Sequence, residues 1–255
     1  MSSVSAGEVM VAQAAREIRD GERVFVGMRL PLIAFVVAKR THAPNAIGLF
    51  ELGLVRDHPA RELLYTMGDP PNVAGAVWCG RTIDLMGMLQ RGDVHAGFIG
   101  GAEIDVHGNL NTTAIGVDRA HPKVQLPGSG GGGDIASLAH RLIVIMPHDR
   151  RRLREKVDFI TSPGYGMGGD WRTRVGLPRG GPSVLITTLG VFRFRDGAAV
   201  LESHHAGAQI DRIRDETGWP LAVAPDVHET EPPGDEVLKI IRDYDPQGFW
   251  TRRGE

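Results

Sequence analysis

The chain has a single cysteine, Cys79, in 255 residues. That excludes an internal disulfide and any zinc cluster built from several cysteines. It has no surplus of positive charge: 29 Lys and Arg stand against 31 Asp and Glu, for a net charge of -2. Nothing in that balance advertises nucleic acid or an anionic membrane as a partner. The longest apolar run, 32–38, falls far short of the ~20 residues a transmembrane helix needs. The N-terminal Met-Ser-Ser-Val-Ser-Ala-Gly-Glu lacks the basic and apolar regions of a signal peptide. There is no HExxH, no HxH, no Cys/His ligand spacing and no G-x-S-x-G elbow. A cytoplasmic, metal-free protein is the expectation.

What the chain has in excess is glycine, 34 of 255 residues, about 13% against an ordinary ~7%. With 42% apolar residues the chain is globular, so the glycines need a local explanation.

Strand-like and helix-like segments alternate. Helices are predicted over 9–18, 32–40, 81–90, 134–140, 207–217 and 235–244. Strands are predicted over 23–28, 47–51, 96–99, 124–126, 142–146, 183–188, 191–194 and 199–202. Ile83, Met86 and Leu89 share one helical face, and Gly92 suits that helix's C-terminal end. No repeat or linker divides the chain, so one domain over 1–255 is expected. This alternation argues for an α/β fold with a mostly parallel central sheet flanked by helices. Such sheets carry their sites in loops beyond the carboxyl ends of the strands.

The densest glycine cluster is Pro127-Gly128-Ser129-Gly130-Gly131-Gly132-Gly133-Asp134. Gly128, Gly130 and Gly133 satisfy the dinucleotide fingerprint literally, and Asp149 follows at a suggestive distance. Against that, about seven residues separate the loop from the next strand, too few for a crossover helix. A P-loop is weaker still, because Asp134 stands where lysine is required. Four consecutive glycines do offer bare backbone N–H groups to a ligand or another chain. A tight structural turn is the alternative.

Glu51 ends a predicted strand beside Leu52-Gly53, which suits a base, a nucleophile or a capping group. His204 and His205 are adjacent and point to opposite sides of a strand, which disfavours a metal pair. Cys79 has no identifiable base beside it and reads as inert. Arg150, Arg151, Arg152 and Arg154 read first as a solvated helix face, with an anion or CoA-phosphate contact as the alternative. Ser162 to Gly169 is a second glycine-rich stretch, a lid or a subunit contact. Trp78, Trp171, Phe192 and Tyr165 read as core before pocket.

Three segments together resemble the β subunit of family I CoA-transferases, especially the glutaconate CoA-transferase type. Phe50-Glu51-Leu52-Gly53 is similar to the E-x-G motif that carries the family's nucleophile. Gly100-Gly101-Ala102-Glu103-Ile104-Asp105-Val106-His107-Gly108-Asn109-Leu110-Asn111 resembles its G-A-x-x-[VI]-D-x-x-G-N-[LV]-N stretch. Pro127 to Ala136 resembles P-G-S-G-G-x-x-D-I-A. Order and spacing agree from about Gly7 to Tyr244. Glu103 departs from a common Gln, and Leu52 from a usual small or polar residue, which bears on the pocket beside Glu51.

The resemblance implies a CoA-transferase-like (NagB/RpiA-like) fold and an acyl-CoA thioester as substrate, with no bound cofactor. It implies Glu51 as nucleophile, forming a glutamyl–CoA thioester on the way from acyl-CoA to an acceptor carboxylic acid. Backbone at Gly100, Gly101 and Ala102 would contribute to an oxyanion hole, and Gly128, Gly130, Gly131 and Gly132 would shape the CoA channel. It also implies an α-type partner subunit, in a heterodimer or α2β2 assembly. Two alternatives share the fold: the small subunit of steroid ring-cleaving CoA hydrolases, where Glu51 would activate water, and a non-catalytic scaffold subunit.

Overall fold

The computed structural model describes residues 3–116, 118, 120–177 and 179–252. The chain forms two compact units, one running to Phe98 and resuming at Glu231, the other spanning Ile99–Thr230.

The first unit contains α1 (Ala6–Arg16), β1 (Arg23–Phe25), α2 (Leu30–Arg40), β2 (Ile47–Phe50), β3 (Leu54–Arg56), α3 (Pro70–Val73), β4 (Trp78–Cys79), α4 (Thr82–Arg91) and β5 (Ala96–Ile99). Its strands lie in the order β5-β1-β2-β3-β4. β1 runs parallel to both β5 and β2, whereas β3 and β4 turn back antiparallel. α2 is buried from Pro31 to Ala38, apolar all round, which fits a helix covered on several sides. α4 stops where expected, because Gly92 takes the left-handed conformation at its C-cap.

α1 starts at a reciprocal capping box. Glu8 N–H donates to Ser5 Oγ (3.1 Å), and Ser5 N–H donates to Glu8 Oε2 (2.8 Å). The Glu8 carboxylate also accepts from Arg242 Nε at 2.6 Å. Burial works to raise the Glu8 pKa, but the Arg242 and Ser5 donors outweigh it and hold the carboxyl below its ordinary value.

The second unit holds the short pairs β6 (Glu103–Ile104) with β7 (Leu110–Asn111) and β8 (Ala114–Ile115) with β9 (Val124–Gln125). There follow α5 (Gly132–Leu138), β10 (Arg141–Ile145), α6 (Trp171–Arg174), β11 (Pro182–Ile186), β12 (Gly190–Arg195), β13 (Ala198–His204), α7 (Ile210–Asp215) and β14 (Ala222–Glu229). β10 pairs parallel with β11 and β13 parallel with β14, while β11, β12 and β13 form an antiparallel meander. The C-terminal helix α8 (Asp235–Tyr244) belongs to the first unit, where it packs with α1 and α2. The α/β class and the parallel strand pairs flanked by helices are as the alternation implied.

Some elements differ from the sequence reading. No helix carries Arg150 to Arg154. That segment is a turn pinned to β6: Ile104 N–H donates to Arg152 O and Arg154 N–H to Ile104 O, both at 2.8 Å. Arg151 pairs with Asp149 at 2.7 Å. The helix expected over 207–217 is confined to α7. β3, β4, β6, β7, β8, β14, α3 and α6 have no counterpart in the sequence reading: all but β14 are too short to show a period, and β14 is largely exposed, so no apolar alternation marks it.

Candidate active site

β2 runs parallel to β1 and antiparallel to β3, and Glu51 follows its carboxyl end. Phe50 and Leu54 are register partners, so Glu51-Leu52-Gly53 is a three-residue hairpin loop. Gly53 has φ +98°, and its N–H donates to Phe50 O at 2.9 Å. Its carbonyl accepts from Gly80 N–H at 2.8 Å. The glycine of the E-x-G segment thus has two physical reasons: left-handed backbone, and an approach so close that a Cβ would meet Gly80 O at 2.4 Å. Glu51 is half-buried at the start of this loop, and Leu52 beside it is 54% exposed. A Gly53→Ala substitution should cost about 3 kcal/mol, from φ strain plus displaced backbone. Thermal unfolding should then occur roughly 6–12 °C lower, and an unchanged Tm would disprove this account of the turn.

The second unit gathers the two glycine segments onto one stretch of chain. Ala102 N–H donates to Asn111 O (2.9 Å), Gly128 N–H to Thr112 O (2.8 Å) and Leu126 N–H to Thr113 O (2.9 Å). Residues 100–102 and the loop starting at Gly128 therefore flank Asn111–Thr113. At Gly100 a Cβ would meet Ile145 O at 3.2 Å, and at Gly101 it would meet the Leu110 side chain at 3.0 Å. Gly128 (φ +95°) and Gly130 (φ +48°) use left-handed backbone. Ser129 and Gly130 form the exposed crest, Gly131 is buried, and Gly132 N–H donates to Ser129 O at 2.8 Å.

The dinucleotide reading finds no support in this geometry. Among the described residues the strand before the loop, β9, pairs only with β8 in a two-stranded ribbon, and α5 after it spans seven residues. The fingerprint needs a strand of a βαβ unit and a full crossover helix. Asp149, the candidate ribose ligand, is held by Arg151, whose hydrogen bonds lower its pKa to about 2.

Asp105, Asn109 and Asn111 of the second motif act as internal fasteners. Asp105 accepts from His107 N–H, Asn109 N–H and Asn109 Nδ2, and burial raises its pKa. Asn109 Oδ1 accepts from Gly164 N–H (3.0 Å) and Gly166 N–H (3.2 Å), while its Nδ2 donates to Gly166 O (2.8 Å). The Ser162–Gly169 stretch is thereby packed down, and at Gly164 a Cβ would meet His107 O at 2.3 Å. Arg172, buried among backbone carbonyls, ties this stretch to α5 through Gly164 O (3.0 Å) and Ala136 O (3.1 Å). Glu103 is buried and accepts from Asn111 Nδ2 at 2.7 Å. Sequence reasoning had no access to Arg172 or Arg56, because a lone arginine is ordinarily a surface residue.

His205 is buried, with Nδ1 on Thr230 Oγ1 (3.0 Å) and Nε2 on Thr187 O (2.8 Å), a core role. Among the described residues no group of three His, Cys, Asp or Glu could hold a metal ion, and no helix is long and apolar enough to cross a membrane. Cys79 is exposed on β4. Phe192 is core, whereas Trp78 remains 42% exposed with its ring folded over Gly80.

Compared with known proteins, residues 8–216 match the coenzyme A transferase family. The chain is 36% identical over 245 residues to the B-type subunit of 3-oxoadipate CoA-transferase from Pseudomonas knackmussii, covering 95% of this chain and 94% of that protein. It is 35% identical over 246 residues to the B-type subunit of glutaconate CoA-transferase from Acidaminococcus fermentans, covering 92% and 90%. The crystal structure of the Acidaminococcus fermentans glutaconate CoA-transferase superposes with a TM-score of 0.91 at 32% identity, over 98% of both chains.

Proposed function

The chain belongs to the coenzyme A transferase family, and we propose that it is the β subunit of a heteromeric enzyme whose nucleophile is Glu51. Both compact units then serve one β-type domain, completed by a separate α-type subunit. The observation that carries the reading is the placement of Glu51. A carboxylate stands at the carboxyl end of a strand that runs parallel to β1, on a hairpin whose geometry is locked by Gly53 and Gly80. A rigid element of that kind can hold a nucleophile in attacking position.

The chemistry is a double displacement. A Glu51 carboxylate oxygen attacks the thioester carbonyl of an acyl-CoA. The C–S bond breaks, CoA leaves as thiolate, and an acyl–glutamyl anhydride remains. The thiolate then attacks the glutamyl carbonyl, releasing the acyl group as its carboxylate and leaving CoA on Glu51 as a thioester. An acceptor carboxylate reverses the sequence and departs as the new acyl-CoA. Charge is conserved at each step and no net proton moves. Negative charge builds on a carbonyl oxygen in every addition, and backbone at Gly100, Gly101 and Ala102 is the proposed stabiliser. The exposed crest of the Gly128–Gly132 loop is the proposed boundary of the CoA channel.

Trapping tests this reading. The chain, assembled with its α-type partner, is incubated with acyl-CoA and treated with hydroxylamine or borohydride. The peptide bearing Glu51 should carry the corresponding hydroxamate or alcohol. An active complex with unmodified Glu51 would overturn the proposal. Turnover without an acceptor acid and without covalent CoA would mark a hydrolase instead.

A further inference from the structure

The strand that follows the Glu51 hairpin ends in a buried cation. Arg56, the last residue of β3, is 1% exposed, and its hydrogen-bond acceptors are all backbone carbonyls. Nε donates to His58 O (3.1 Å), Nη1 to Ala74 O (3.0 Å) and Pro71 O (3.2 Å) and also to Asn72 O, and Nη2 to Pro59 O (3.4 Å). A guanidinium withdrawn from water this far is costly. Its planar fork suits gathering several carbonyls at once. Those carbonyls belong to both ends of the 57–77 segment, which Arg56 thereby fastens to the end of β3.

From Arg56 a set of contacts leads to Leu52, the residue after the proposed nucleophile. Asn72, fully buried, donates from Nδ2 to Met67 O at 2.7 Å. Asp69 closes the same turn by accepting from Tyr65 N–H (2.6 Å), Thr66 N–H (3.0 Å) and Thr66 Oγ1 (2.6 Å). At the crest of the turn, Gly68 lies against Leu52: a Cβ there would meet Leu52 Cδ1 at 3.1 Å. Leu52 is the residue next to Glu51, and more than half of it is open to solvent.

Resting on the proposed nucleophilic role of Glu51, we infer that Leu52, backed by the 66–68 turn, is a specificity-determining residue that limits the acyl chain at this site. Arg56 and Asn72 are positioning residues that act through the turn. An apolar side chain beside the attacking carboxylate meets the first methylenes of the acyl group, and the turn behind it decides how far it can yield. A polar or small residue in place of Leu52 would leave that side open.

The test uses the complex with its α-type partner and straight-chain monocarboxylyl- and dicarboxylyl-CoA thioesters of increasing length. Leu52→Ala, at an exposed position that folding does not depend on, should shift the kcat/KM ratio of long over short acyl groups about tenfold. Asn72→Ala should shift it in the same direction by raising KM for the short donors. In Asn72→Ala the amount of Glu51–CoA thioester formed per chain at saturation should stay as in the wild type. A merely structural residue would lower that amount and leave KM and selectivity alone, so that outcome for Asn72→Ala overturns its positioning role. A selectivity unchanged in Leu52→Ala overturns the inference while the trapped thioester leaves the proposed function standing. Absence of the thioester in the wild-type complex overturns both.

Discussion

Replacing Glu51 with Gln is expected to lower kcat of the assembled enzyme by at least about 10⁴-fold, a loss of ~5 kcal/mol of transition-state stabilisation. The substitution is nearly isosteric, and Glu51 sits on a hairpin whose shape depends on backbone bonds at Gly53 and Gly80. Folding should therefore be untouched. On the proposed role, what disappears is the oxygen nucleophile, since a carboxamide neither attacks a thioester usefully nor carries CoA afterwards. KM for the acyl-CoA should change little, because the lost interaction is a bond made only along the reaction path. Glu51→Asp keeps the charge but withdraws it by one methylene. A displacement of that size in a positioned group costs about 10²-fold. The ordering Glu, Asp, Gln in steady-state kcat, with matching loss of the hydroxylamine-trapped peptide, is the expected result. Equal activity of wild type and Glu51→Gln would remove this residue from the mechanism.

Acidification below about pH 6.5 should destabilise the protein through its buried histidines. His148 is 6% exposed; its Nδ1 meets Thr187 Oγ1 (3.1 Å), its Nε2 meets Thr217 Oγ1 (3.2 Å), and its ring stacks on Phe192. Burial lowers its pKa from 6.5 to about 4. His205, bonded to the carbonyl of the same Thr187, is shifted in the same direction by burial. With folded pKa values below unfolded ones, the unfolded chain binds more protons in the interval between them. Stability is then full above about pH 6.5 and falls as pH drops from there towards 4. His148 alone contributes about 3 kcal/mol over that window, at a slope near 1.4 kcal/mol per pH unit. Glu8 and Asp149, whose pKa values are lowered, act only below the ordinary carboxylate range. Asp105, raised by burial, works in the opposite sense above its ordinary 3.8. Urea unfolding at pH 7.5, 6.5, 5.5 and 4.5 measures the slope, and His148→Gln should flatten it by one proton. An identical slope in the wild type and His148→Gln would contradict the buried neutral histidine.

How much of this could be read in advance depended on how local its cause was. The strand leading to Glu51, the helix stop at Gly92 and the strand β5 follow from short-range pattern and backbone chemistry, and all three are found within a residue of where expected. The Arg150–Arg154 turn does not, because what decides it is pairing with Ile104, which is distant in sequence. By composition the Ser162–Gly169 stretch reads as a lid or a subunit contact. Its glycines instead permit close packing on residues 107–109, and Asn109 holds them there.

The sequence by itself determined the α/β class, the position of the candidate nucleophile and the family resemblance, since periodicity and motif order are properties of neighbours along the chain. Only the tertiary structure decided which glycines are turns and which are contacts, and that the literal dinucleotide fingerprint follows a two-residue ribbon strand. It alone revealed that two arginines are interior clamps on backbone carbonyls. The physical reason is that a buried polar group is tolerated only where distant chain segments converge to satisfy it, and no local pattern records that convergence.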